Sequence, residues 1–234
     1  MSALSFGFIG LTLIVIAFLL FIGFKAIDAS STKISRDKLI LTSGLLIWHV
    51  YILALSSTEF IMDYGFPPRF ALAFILPSFL FTGIFLFRSK NKTWIQSIPE
   101  HWIIYFQSFR ILVEILFLFA LTEGIFNPEV TLEGYNFDMI YAFSAPIVGL
   151  LVFRFKVLPR GFLKVWNYLG LVVFASIIFV FMTCIYAPEL YGGASPLLPL
   201  KAFSYPYVLI AGFLMPAAVF LHVLSIVQLS KTPS

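Results

Sequence analysis

The sequence predicts an all-α fold: seven transmembrane helices in one bundle, with the N-terminus outside and the C-terminus in the cytoplasm. Three observations carry that expectation. Of 234 residues, 61% are hydrophobic and only 11% charged, with a mean hydropathy of +1.01; a soluble domain is about half apolar and about a quarter charged. The apolar residues gather in runs of the ~20 residues that a helix needs to cross a ~30 Å hydrocarbon layer. Lys and Arg fall in alternate connections, as they do when those connections face the cytoplasm.

Residues 3–27 form the first run. No positive charge precedes Lys25, and the run exceeds the ~7–15 residues of a signal-peptide core, so it reads as a retained helix. The second, 38–58, follows the polar stretch Ser30–Asp37. The third, 67–87, opens on Pro67-Pro68, and proline suits a first helical turn. Residues 90–99, with Lys90, Lys92 and Trp94, read as a short interfacial helix. Spans 100–123, 138–155, 164–186 and 205–229 follow, the fifth of the seven being the shortest. No polar stretch is long enough for a second domain, so 1–234 is one membrane domain.

Orientation follows from the cations. Lys25, Lys33, Arg36 and Lys38 lie between spans one and two, and Arg88, Lys90 and Lys92 between three and four. Arg154, Lys156, Arg160 and Lys164 lie between five and six, and Lys231 in the tail. The opposite side holds Arg69 and Lys201, and Arg110 falls within a span. An odd number of spans puts all four basic regions on one side, the cytoplasmic one. The net charge of +4 is therefore an orientation signal. The partner is the lipid bilayer, and no nucleic acid is implied.

An ionised side chain at the bilayer centre costs about 2.5–3.5 kcal/mol on insertion scales, so each polar residue inside a span is informative. Gln107, Arg110 and Glu114 are spaced by three and four and share a helical face. Arg110 and Glu114 can pair along the helix, but a guanidinium has five donors and needs further partners. His49 and Glu59 mark the second span, His222 and Ser225 the seventh. His49, Arg110 and His222 fall at similar depth. If spans two, four and seven are neighbours, these residues line one polar pocket or ion path. The alternatives are a structural Arg110–Glu114 pair and histidines that only hydrogen-bond within the packing. Glu123, Glu133 and Asp138 sit in a loop without a base, read as an outer acidic loop that gathers cations or is merely solvated.

One cysteine and three histidines offer no metal site. No P-loop, HExxH, GxSxG or CxxC occurs, and the seventh span lacks the mid-helix lysine of a retinal protein. Phe74-x-x-Pro77, Phe143-x-x-Pro146 and Phe213-x-x-Pro216 recur at near-equal intervals. Each proline frees the carbonyl four residues back, at Ala73, Ala142 and Gly212. In a chain with 29 phenylalanines the recurrence also has a trivial explanation.

Pro99-Glu-His-Trp, Gln107-Ser-Phe-Arg110 with Glu114, Glu133-Gly-Tyr-Asn-Phe-Asp138 with Ala145-Pro146, and Phe213-Leu-Met-Pro216 with His222 and Ser225 resemble segments of a family of bacterial polytopic integral membrane proteins without an assigned activity. The resemblance covers roughly residues 99–230. It implies a bacterial inner-membrane setting and no chemistry. Three functions fit: transport of a small solute or of protons through the pocket; a membrane-embedded enzyme or redox subunit with haem b held by His49 and His222; or a homo-oligomeric or accessory part of a membrane complex.

Overall fold

The computed structural model describes residues 2–231, and every regular element among them is helical. α1 covers Ala3–Ser30, α2 Ile34–Ser56, α3 Leu76–Ser89, α4 Trp94–Ser97, α5 Glu100–Phe106, α6 Phe109–Thr122, α7 Asp138–Gly149, α8 Phe162–Tyr186 and α9 Met215–Leu229. Five-residue π-helical turns precede α3 (Ala71–Ile75) and α9 (Ile210–Leu214), and one follows α7 (Leu150–Arg154). Six helical segments among the described residues are long and apolar enough to cross a membrane: Ala3–Ser30, Ile34–Ser56, Ala71–Ser89, Glu100–Thr122, Phe162–Tyr186 and Ile210–Leu229. This is a multi-pass membrane architecture.

The segment expected as the fifth span is α7 plus its π turn, Asp138–Arg154, about 25 Å long at 1.5 Å per residue. It is short because it begins inside the protein. Its first residue, Asp138, is 3% exposed and bonded to Arg110, twelve residues before the end of α6, or about 18 Å along that helix. The connection 123–137 therefore dips into the bundle, burying Ile125, Phe126, Val130, Thr131 and Asn136. Other boundaries also move. Pro67 and Pro68 precede the third helix, the interfacial helix shrinks to the single turn α4, and Tyr205–Leu209 lie ahead of the last π turn. The fourth span breaks at Gln107-Ser108, where i→i+3 bonds replace i→i+4 ones (Gln107 N–H to Ile104 O, 3.2 Å; Arg110 N–H to Gln107 O, 3.2 Å).

Two of the three Phe-x-x-Pro segments share one construction. In each, a π turn runs into the helix that carries the proline, and a side chain of α2 donates to the carbonyl the proline leaves free. Trp48 Nε1 donates to Gly212 O (2.9 Å) and Tyr51 Oη to Ala73 O (3.2 Å). Trp48 and Tyr51 are three apart and so lie on one face of α2. A carbonyl with no helical partner is costly in hydrocarbon, and the two aromatic donors remove that cost. In α7 the π turn follows Pro146 instead, so the third segment is built differently.

Side-chain contacts gather the loops into two groups. The end of α1 meets α5 through Lys25, whose ammonium lies 5.2 Å from the Trp102 ring centre. Arg160 forms a bidentate pair with Glu100, and Lys231 Nζ donates to Asn91 Oδ1 (3.2 Å). In the second group, Tyr64 Oη donates to Leu198 O (2.6 Å), Tyr186 Oη to Gly65 O (3.1 Å), and Ser5 Oγ lies 3.3 Å from Tyr207 Oη. α9 packs against α3, α5 and α8, and its Ala218, Leu221, His222, Leu224 and Ser225 are buried.

Replacing Trp48 by Phe keeps an aromatic ring beside Tyr51 and removes only the bond to Gly212 O. The expected result is a protein less stable by about 1 kcal/mol, read from its melting temperature in detergent. An unchanged melting temperature would count against this capping role.

Candidate functional site: a buried ionic cluster

Arg110 is the centre. Its side chain is fully buried, 1% exposed, although it lies inside a transmembrane segment. Nε donates to Asp138 Oδ2 (3.1 Å) and Nη2 to Asp138 Oδ1, a bidentate pair across α6 and α7. Nη1 lies 3.0 Å from His222 Nε2 on α9. The guanidinium carbon sits 4.1 Å from the Phe174 ring centre and 4.8 Å from that of Tyr141. Rings on both sides give the cation a favourable face where water is excluded.

The bonds around His222 fix its tautomer. Asn167 Nδ2 donates to Leu163 O (2.7 Å) and to Ser225 Oγ (3.0 Å). Asn167 Oδ1, 2.8 Å from His222 Nδ1, must then accept, so Nδ1 carries the proton. Nε2 is left as the acceptor for Arg110. His222 is a neutral imidazole in a chain running Asp138–Arg110–His222–Asn167–Ser225, which ties α6, α7, α8 and α9 together. Gly170 makes room for it: a Cβ there would meet His222 Nε2 at 2.6 Å and Tyr141 Oη at 2.6 Å.

Glu114 does not pair with Arg110. Its two carboxylate oxygens accept from Asn136 Nδ2 at 3.2 and 3.1 Å. Asn136 also donates to Val130 O (3.1 Å), and its Oδ1 accepts from the Asp138 N–H (2.9 Å). The expectation of an Arg110–Glu114 pair along one helix gives way to two separate arrangements, because Asp138 reaches the guanidinium in bidentate geometry. Asp138 is accordingly no member of an outer acidic loop, whereas Glu123 and Glu133 are exposed. Gln107 is buried and faces α9, its Nε2 donating to Ala218 O (3.2 Å). Glu59 is exposed beyond α2. His49 is half-buried and turned inward along its own helix, with Nδ1 on Leu45 O (2.7 Å) and its ring 4.3 Å from Phe213.

The expected convergence thus splits. Arg110, His222 and Ser225 come together, Glu114 stands beside them through Asn136 and Asp138, and His49 and Glu59 lie elsewhere. Haem b does not fit His49 and His222. Both ring nitrogens of His222 are engaged, and its ring is packed by Tyr141, Trp166 and Phe174. Of the residues that sequence reasoning missed, Asn167 had a visible signal, an amide inside an apolar run. Asn136 had none.

A cavity of about 60 Å³ adjoins the cluster. Its lining includes Arg110, Glu114 and Asp138, but the surface it opens is apolar, formed by side chains such as Phe117, Ile177 and Leu214. One water needs roughly 10–15 Å³ of such volume, so the cavity is wide enough for water and well below the ~150 Å³ that accepts benzene. Comparison with protein-family models, curated proteins and solved structures gives no match to this chain.

Asp138→Asn leaves the guanidinium without its counter-charge. The expected loss is about 3–5 kcal/mol, measured as detergent-solubilised melting or loss of folded yield, and the double variant Arg110→Met/Asp138→Leu should recover much of it. A single variant as stable as the parent would sink the assignment of this pair.

Proposed function

We propose that the protein is a proton-linked transporter of a bacterial inner membrane, with Glu114 as the group that takes up and releases the proton. One observation carries the reading: the cluster beside the cavity holds two buried carboxylates, Asp138 and Glu114, and one guanidinium. His222 adds no charge in the tautomer its neighbours impose. Asp138 neutralises Arg110, so Glu114 is the surplus anion, and a buried unpaired carboxylate is costly unless it takes a proton. The small size of the cavity supports a proton over an organic solute.

The coupling runs through Asn136. The ionised Glu114 offers two acceptors to its amide; a protonated carboxyl offers a weaker set. Protonation therefore loosens the grip on Asn136 and with it the inward-folded connection 123–137. Release of the proton restores that grip. Alternating openness of one side of the cavity follows from this exchange.

Seven crossings, with the N-terminus outside, belong to the same reading. The basic segments after α1, before α4, after α7 and at the C-terminus meet at one end of the bundle through Lys25–Trp102, Arg160–Glu100 and Lys231–Asn91. The fifth crossing is then composite, the connection 123–137 covering the outer half and Asp138–Arg154 the inner half. One observation favours a second reading, a purely structural core in a larger assembly: Arg110 finds its counter-charge and its hydrogen-bond partners within the chain.

Reconstitution separates the two. In proteoliposomes carrying a pH-sensitive dye, the parent should dissipate an imposed proton gradient, and Glu114→Gln should fall to the level of empty vesicles while melting at the parent's temperature. A Glu114→Gln protein that moves protons at the parent's rate overturns the proposal, as does a parent with no flux.

A further inference from the structure

A second site lies at the end of the bundle where the basic segments meet. A groove runs between the start of α5, the end of the α7 π turn and the end of α9, with Glu100, His101, Phe153, Lys156, Arg160 and Gln228 among its lining. Three features of it have no role in the proton site.

The first is an unsatisfied amide. Gln228 is 1% exposed, and its Nε2 donates to Ile95 O (2.8 Å) and Ile98 O (2.5 Å). Two carbonyl acceptors fix which end of the amide is nitrogen. The other end, Oε1, is buried and has no hydrogen-bond partner. Such an oxygen costs about 1–3 kcal/mol unless a donor reaches it, so the groove calls for a ligand with a hydroxyl or amine.

The second is charge. Lys156 is exposed, its ammonium forms no ion pair among the described residues, and its backbone is held in the left-handed region (φ 54°). His101 adds an exposed imidazole whose ring packs on Phe153. Arg160 rests on Glu100, whose hydrogen bond holds the guanidinium above its ordinary pKa; the same bond neutralises the one acid of the groove.

The third is the apolar rim of Ile98, Val152, Phe153 and Leu158. An anion-seeking cation, a buried acceptor in need of a donor, and an apolar wall at the end of the bundle where the basic segments meet together describe a phosphodiester that carries a hydroxyl and acyl chains.

We propose that this groove binds the headgroup of an anionic, hydroxylated phospholipid such as phosphatidylglycerol. The phosphate lies by Lys156 and His101, a headgroup hydroxyl donates to Gln228 Oε1, and the chains run along Phe153 and Leu158. The site ties the lipid to α5, α7 and α9 at once, and does not depend on how Glu114 behaves.

The test uses the full-length protein purified in detergent. Melting is followed while phosphatidylglycerol, phosphatidylcholine or inorganic phosphate is added, and lipid retained by native mass spectrometry is compared. Phosphatidylglycerol should raise the melting temperature and be retained in preference to phosphatidylcholine, with no shift from inorganic phosphate. Lys156→Gly removes the charge and suits the left-handed backbone, so it should melt no lower than the parent without lipid; it should bind phosphatidylglycerol about fivefold more weakly, as expected for one interfacial cation. Equal response to the two lipids, undiminished binding by Lys156→Gly, or a response to inorganic phosphate with none to phosphatidylglycerol each overturns the proposal.

Discussion

A guanidinium buried between helices is the constraint on which the rest of this architecture depends. In hydrocarbon Arg110 cannot borrow water, and so other helices must bring its partners to it. Asp138 supplies the counter-charge, His222 a neutral acceptor, and Phe174 and Tyr141 the flanking rings. Each of these groups lies on a different segment from Arg110, and together they fix the relative depth of α6, α7, α8 and α9. The shortness of α7 follows directly. Because its first residue must stand at the level of Arg110, the helix starts deep, and the preceding connection has to fold inward to deliver it there. An irregular segment is tolerated at such depth only when protein rather than lipid surrounds it, and the buried Ile125, Phe126 and Val130 meet that condition.

The same economy of backbone bonds governs α3 and α9. Pro77 and Pro216 each cancel one helical bond, and the π turns ahead of them widen the ladder. Trp48 and Tyr51 then act as donors from a third helix. This gives α2 a role that its exposure hides: most of its surface is open, yet two of its side chains complete the hydrogen bonding of segments that line the cavity. Ile75, Ile210 and Leu214 of those segments stand in the cavity wall, so a change in either bend would alter the space beside Arg110 without touching a charged group.

The membrane-spanning helices were legible because the bilayer imposes a length and a polarity that composition reveals directly. Arg110 and His222 were legible for the same reason, since a polar residue in an apolar run is conspicuous. The partner of Arg110 was not. Asp138 sits after a loop containing Glu129, Glu133 and Asn136, and nothing local distinguishes a carboxylate that will fold inward from its solvated neighbours. Helical periodicity also misled: the tight turn at Gln107-Ser108, where neither proline nor glycine warns of it, sets Gln107 apart from α6, and Arg110 and Glu114, one turn apart on α6, are taken by different partners, Asp138 and Asn136. His49 was placed in the wrong company: its ring meets Phe213, nine residues before His222 in the chain, because position along a helix says nothing about which neighbour a side chain meets.

In the proposed reading, the two carboxylates divide stability from function. Asp138 is held by a cation in bidentate geometry, and any departure from its ionised form strands Arg110; a group so constrained is poorly suited to cycling between charge states. Glu114 is held by one neutral amide, lies against a cavity large enough for water, and has no cation assigned to it. A change in its charge disturbs Asn136 and the connection 123–137, not the pair that locks the helices. A site that must change protonation without unfolding its surroundings needs this separation. The proposed proton coupling rests on the relative placement of the two acids, one paired with a cation and one held by an amide alone.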